Sequence, residues 1–182
     1  MNILPLHLAR TCLMLCPLAA CSTQPPVPRT SSVDVARYMG DWYVIASIPS
    51  RFEKGAFNAV ESYRLAADGT IQTTFRYRKE KADGDLKTMH ATGFAHPGER
   101  NAVWGMQFIW PIKAQYVIAW LDPGYRFVIV ARDKRDYVWI MAHEPAISGA
   151  DYAALAGRVA AMGYDVSQLR KVPQQWPEAA PR

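Results

Sequence analysis

The strongest constraint on this chain is a period of two in its apolar residues that restarts roughly every ten positions. In the run TIQTTFRYR, Ile71, Thr73, Phe75 and Tyr77 alternate with Gln72, Thr74, Arg76 and Arg78. Successive side chains of a strand point to opposite faces, so this pattern predicts an antiparallel strand with one buried and one wet face. AVWGMQFIW repeats it with Trp104, Met106, Phe108 and Trp110 on one side. YRFVIVAR groups Tyr125, Phe127 and Ile129, and YVWIMAH groups Tyr137, Trp139 and Met141. Turn signals divide the runs at Asp68-Gly69, Asp83-Gly84, Pro97-Gly98, Pro123-Gly124 and Asp133-Lys134. Strands are expected near 42–49, 58–66, 70–79, 86–95, 101–110, 114–122, 125–132 and 136–143. Tight turns between consecutive strands imply an up-and-down meander, and closing the sheet on itself removes its exposed edges. The predicted fold class is all-β, an eight-stranded antiparallel up-and-down β-barrel.

After the eighth strand the period changes. In SGADYAALAGRVAAMGYD the larger apolar residues Tyr152, Leu155, Val159 and Met162 recur at three or four. Ser148 with Asp151 resembles a capping box, and Gly163 provides a stop. One C-terminal amphipathic helix is therefore expected to pack on the outside of the barrel.

The first residues, MNILPLHLARTCLMLCPLAAC, carry one charge, Arg10, and then a short apolar run, the form of a secretory signal too short to span a membrane. Leu18-Ala19-Ala20-Cys21 resembles the bacterial lipobox, which implies cleavage before an acylated Cys21, with an ordinary signal peptide cut after an Ala-x-Ala-like site as the competing reading. Cys12 and Cys16 then leave with the signal, and no cysteine is left for a disulfide. Acyl chains on Cys21 would anchor the protein, each buried methylene contributing about 0.8 kcal/mol. Ser22 rather than Asp after the cysteine favours the outer membrane, with the domain facing the periplasm. The organisation expected is a signal peptide over 1–20, a lipid-anchored tether over 21–32, one domain over 33–172 and a flexible tail over 173–182. Pro, Ser and Thr dominate the tether, and the tail is interrupted by proline.

Aromatic and sulfur side chains concentrate on the inward-facing set: Phe75, Tyr77, Met89, Trp104, Met106, Phe108, Tyr116, Ile118, Phe127, Trp139 and Met141. An eight-stranded barrel either fills with side chains or holds one small ligand. The small residues Ala46, Thr73, Ala91 and Gly93, expected on the same side, leave room for a ligand and make these eleven the candidate binding residues. A solid aromatic core is the competing reading. The alternation Ala59, Glu61, Tyr63, Leu65 places a carboxylate on the inward set, where it costs several kcal/mol unless protonated or partnered. Glu61 either meets a polar ligand group inside or is turned to solvent by a bulge.

Gly40-Asp41-Trp42, with Arg135-Asp136-Tyr137 after the seventh strand, resembles the lipocalin family, most closely the bacterial outer-membrane lipoprotein members and the apolipoprotein D branch, over about Val33 to Val172. YMGDWYVIASIPSRFEKG and DYVWIMAHEPAIS extend the likeness. The resemblance implies that Gly40 ends a helical turn, DVARY, that closes the barrel floor, with Trp42 packed inside it. It also places Asp136 and Tyr137 in the floor motif and puts His143 where an arginine usually covers the tryptophan. The ligands it implies are fatty acids, lysophospholipids or similar amphiphiles held tail-down, with a homodimer as an option. No cofactor or metal is implied.

Enzyme readings find little support. There is no Gly-x-Ser-x-Gly elbow and no glycine-rich phosphate loop. His90, His96 and His143 lack a paired metal spacing. The formal charge of +5 is scattered among carboxylates without a basic block, which argues against nucleic acid. A membrane-anchored binding protein for lipid storage, transport or envelope maintenance is the leading expectation, and an envelope lipoprotein with a filled barrel is the alternative.

Overall fold

The computed structural model describes residues 24–50 and 53–178. The signal segment and Cys21 lie outside these residues. A short helix α1 (Val35–Tyr38) leads into β1 (Gly40–Ile48), β2 (Ala56–Leu65), β3 (Ile71–Lys79), β4 (Leu86–Ala95), β5 (Val103–Ile109), β6 (Ile112–Leu121), β7 (Phe127–Ala131) and β8 (Val138–Ala142). Helix α2 (Gly149–Ala161) and a two-residue strand β9 (Arg170–Lys171) follow. Each strand from β2 to β8 pairs antiparallel with the next, and β1 pairs with both β8 and β2, which closes the barrel. The strand rhythm predicted an eight-stranded meander, and the structure has it.

The barrel wall has two apolar sides. Inside, Tyr38, Trp42, Val44, Tyr63, Ile71, Phe75, Trp104, Tyr116, Ile118 and Met141 belong to one cluster. Outside, Ile45, Phe127, Ile129, Ile140 and Ala142 cluster with Leu155 and Val159 of α2 and with Met162 at its C-cap. Ser148 caps that helix, its Oγ accepting from the Asp151 N–H at 3.0 Å, and Gly163 at φ +86° ends it, as the spacing predicted.

The two terminal stretches are corrections to the expected tether and tail. Proline and serine content suggested that neither had anything to bury, yet Val27 is fully buried beside Ile45 and the α2 contacts. Arg29 forms a two-pronged ion pair with Asp133, both N···O distances 3.0 Å, and the Val27 N–H donates to the same carboxylate. That guanidinium holds the Asp133 pKa down at about 2. At the other end, the tail repairs a gap in the wall. β1 and β2 pair only from Gly40↔Tyr63 to Tyr43↔Val60, and β1 then turns to β9. Where they part, the Gln174 amide bridges them, donating to the Val44 carbonyl at 2.9 Å and the Ala59 carbonyl at 3.1 Å. Asn58, at φ +49°, exchanges hydrogen bonds with the Gln175 backbone, and Glu178 lies between Arg76 and Arg78. Local composition carries no signal for these long-range partners.

Candidate functional site

The strand register defines two ends. Gly40, Tyr63, Ile71, Trp104 and His143 lie near the end closed by α1. Ile48, Ala56, Leu86, Ile109 and Val138 lie near the opposite mouth.

The closed end is an aromatic stack. Trp42 is fully buried, lies 5.0 Å from the Tyr38 ring and donates its indole N–H to the Tyr38 carbonyl at 2.9 Å. This bond needs the chain to reverse between helix and strand, which Gly40 provides at φ +112°, a conformation side-chain-bearing residues rarely adopt. The His143 ring covers Trp42 at 3.9 Å between centroids. Its Nδ1–H donates to the Asp41 carbonyl at 2.7 Å, so the covering residue is tied to the strand entrance as well as to the indole. Gly40, Trp42 and His143 therefore meet at the end closed by α1.

Asp136 and Tyr137 do not. They precede β8 at the mouth, since Val138 pairs with Ile48, and Asp136 bonds Arg132 rather than any floor residue. The aspartate and tyrosine of the floor are Asp122 and Tyr125, in the β6–β7 turn. Asp122 accepts from the backbone N–H groups of Gly124 and Arg126, and the Tyr125 hydroxyl accepts from the Asp34 N–H at 2.9 Å. The two residues that separate Asp122 from Tyr125 hide the pair from a search for adjacent Asp-Tyr.

Of the eleven candidate binding residues, nine point inward: Phe75, Tyr77, Met89, Trp104, Met106, Tyr116, Ile118, Trp139 and Met141. Phe108 and Phe127 do not. The pairing of β5 with β6 shifts register between Met106 and Ile109, and Phe108 is 53% exposed. It joins Ile109, Trp110 and Ile112 in an exposed apolar hairpin tip at the mouth, where Trp110 is 82% exposed. β7 is buried on both faces, so alternation there could not distinguish inside from outside, and Phe127 lies in the outer cluster while Val128 and Val130 face in. Ala46 is likewise outside, because the β1–β8 register shifts between Val44 and Ala46.

The nine inward residues differ in depth. Trp104, Ile118 and Met141 have no exposed surface. Trp104 stacks on Tyr116 at 5.3 Å, meets Tyr38 edge-on and donates to the Asn101 carbonyl, so it extends the floor. Above it, Met89, Ala91 and Trp139 pack against the interior cluster yet keep part of their surface accessible, with Phe75 and Tyr77 beside them. Glu61 also points inward, between Trp42 on β1 and Phe75 on β3.

Glu61 ends a chain of hydroxyls. The Tyr63 hydroxyl donates to Glu61 Oε2 and also lies 2.7 Å from the Tyr116 hydroxyl, which lies 2.9 Å from that of Tyr38. Burial raises the Glu61 pKa to about 7, the Tyr63 hydrogen bond opposing it and Glu53 adding repulsion. Glu53, in the loop between β1 and β2, is raised mainly by burial too, opposed by the hydrogen bond it accepts from the Ser50 N–H at 2.9 Å. Sequence alternation found Glu61; the tyrosine chain was not legible, because its members come from α1, β2 and β6. Among the described residues no group of three His, Cys, Asp or Glu side chains is arranged to hold a metal.

A closed eight-stranded barrel with an external helix, a tryptophan-plugged floor and an apolar interior cluster whose upper members Met89, Ala91 and Trp139 are only partly buried has the form of a calyx. Comparison with known proteins agrees, for residues 33–174 match the lipocalin-like domain model. The chain belongs to the lipocalin family. It is 30% identical over 178 residues to the outer membrane lipoprotein Blc of Escherichia coli K12, covering 96% of this chain and 98% of that one. It is also 30% identical over 151 residues to temperature-induced lipocalin-1 of Arabidopsis thaliana, covering 78% and 80%. Apolipoprotein D of Bos taurus is 27% identical over 128 residues, 66% of each chain. Among solved structures, insecticyanin from Manduca sexta superposes with a TM-score of 0.67 at 13% identity, covering 85% of this chain and 87% of that one. The cockroach allergen Per a 4 gives 0.66 at 21%, covering 85% and 96%. These two likenesses concern the fold alone.

Proposed function

We propose that this lipocalin is held at the outer membrane by acyl chains on Cys21 and binds a single amphiphile, a fatty acid, a lysophospholipid or a similar molecule, inside its barrel. The observation that carries this reading is the accessible apolar surface of Met89, Ala91 and Trp139 above a floor sealed by Trp42 and Trp104. Apolar surface turned to water inside a barrel is unfavourable by roughly 25 cal/mol per Å², and an alkyl chain covering it recovers that energy. The apolar hairpin tip at Ile109, Trp110 and Ile112 stands at the mouth, where exchange with a lipid surface would take place. The Blc relatives, outer membrane lipoproteins by name, support the anchoring and location. On this reading the protein stores or ferries envelope amphiphiles and carries out no reaction.

Native mass spectrometry of protein purified from membranes without detergent exchange tests it. The expected spectrum shows the domain plus one amphiphile and the mass of a lipidated Cys21. A bare polypeptide that also fails to take up added fatty acid or lysophospholipid would favour the filled-barrel alternative.

A further inference from the structure

Inside the barrel, proton counting assigns a direction to the tyrosine chain. A phenol has one proton to donate. Tyr63 gives its proton to Glu61 Oε2, so at its 2.7 Å contact with Tyr116 it can only accept. Tyr116 therefore donates to Tyr63 and must accept from Tyr38 at 2.9 Å. All three hydroxyl protons are consumed, and the chain points to the carboxylate. Among the described residues no donor reaches Glu61 Oε1, and Glu61 keeps part of its surface accessible although its neighbours Trp42 and Phe75 are buried. In the strand register Glu61, Phe75 and Met89 follow one another across β2, β3 and β4, and Met89 packs on the interior cluster. With Glu61 ionised, above its pKa of about 7, this end of the barrel thus offers an acceptor and no free hydroxyl donor.

Building on the amphiphile-binding reading above, we propose that Glu61 is a head-group site inside the calyx, selecting amphiphiles whose head donates a hydrogen bond, a protonated amine before a hydroxyl, over those ending in a carboxylate. A donor reaching Oε1 completes the coordination of a buried carboxylate that otherwise lacks a partner, and a cation also offsets its charge in a low-dielectric site. Against ionised Glu61, where Glu53 adds to the repulsion, a fatty acid entering head-first would bring a second anion. It must therefore lie with its tail down, leaving Oε1 unpartnered. Among the described residues, the titratable groups around Glu61 are Tyr38 of α1, Tyr63 of β2, Tyr116 of β6 and Glu53 of the β1–β2 loop; its nearest neighbours on β1 and β3 are Trp42 and Phe75.

Displacement of Nile red from the purified full-length protein by dodecylamine, dodecanol and dodecanoate, each below its micelle concentration, tests the site in wild type and in Glu61→Gln. Wild type is expected to bind the amine about tenfold or more tightly than dodecanoate at pH 8, with the alcohol between, and to show a smaller preference at pH 5.5. Glu61→Gln, checked for folding by thermal melting, is expected to lose that preference and its pH dependence while still binding the alcohol. If the three ligands bind wild type alike, or if the amine preference survives in Glu61→Gln, the head-group assignment is overturned and the binding function stands. If neither Nile red nor any of the three binds, both fall. Should Glu61→Gln fail to fold, the wild-type order and its pH dependence still decide the matter.

Discussion

Trp42 and Glu61 face each other across β1 and β2, and their side chains do opposite things. The tryptophan has its N–H satisfied and its ring covered on two sides, by Tyr38 and His143. Its task is to close the floor. Trp42→Ala should cost about 3–5 kcal/mol of stability, the range for truncating a buried aromatic, read from urea denaturation midpoints. Glu61 is less settled electrostatically. Its pKa in the folded protein is about 7, raised by burial from an ordinary 4.5, so between those values the folded state holds more proton than the unfolded one. Stability must then fall as pH rises through that window. The melting temperature of wild type should drop relative to Glu61→Gln between pH 4.5 and pH 8; parallel curves would contradict the inward, desolvated placement. Both residues were visible in the sequence, Trp42 through its glycine and Glu61 through alternation. Asp122 and Tyr125 were not, because spatial partnership across a turn leaves no adjacent pair to find.

At the scale of elements, alternation located every strand of the barrel and failed where a strand bulges or is buried on both faces. The register shifts in β1 and β5 moved Ala46 and Phe108 off the inner wall. The outer cover of α2 made Phe127 as buried as an interior residue. Helix α2 was legible because its cap, stripe and stop agree with one another. The terminal stretches were misread for a different reason: their value lies in what the rest of the fold leaves open. Gln174 satisfies two carbonyls where β1 and β2 diverge, so Gln174→Ala should destabilise by about 1–3 kcal/mol, the cost of leaving buried acceptors unpaired. Hydrogen exchange should report the loss first at the upper parts of β1 and β2. Uniform protection there after the substitution would mean that the tail does not close the wall.

As a whole, the molecule is a cup with one end plugged by stacked aromatics and the other ringed by loops and an apolar hairpin tip. Burial inside the barrel is graded, complete at Trp104 and partial at Trp139, and this gradient favours a binding calyx over a filled barrel. An amphiphile bound in this upper space would lie against Trp139, the tryptophan placed to detect it. A fluorescence titration with a long-chain amphiphile brominated along its alkyl chain, performed on wild type and Trp139→Phe, is the most direct test. Saturable quenching at one ligand per protein that largely disappears in Trp139→Phe is the predicted result. Quenching that does not saturate, or that is unchanged by the substitution, would contradict binding inside the barrel.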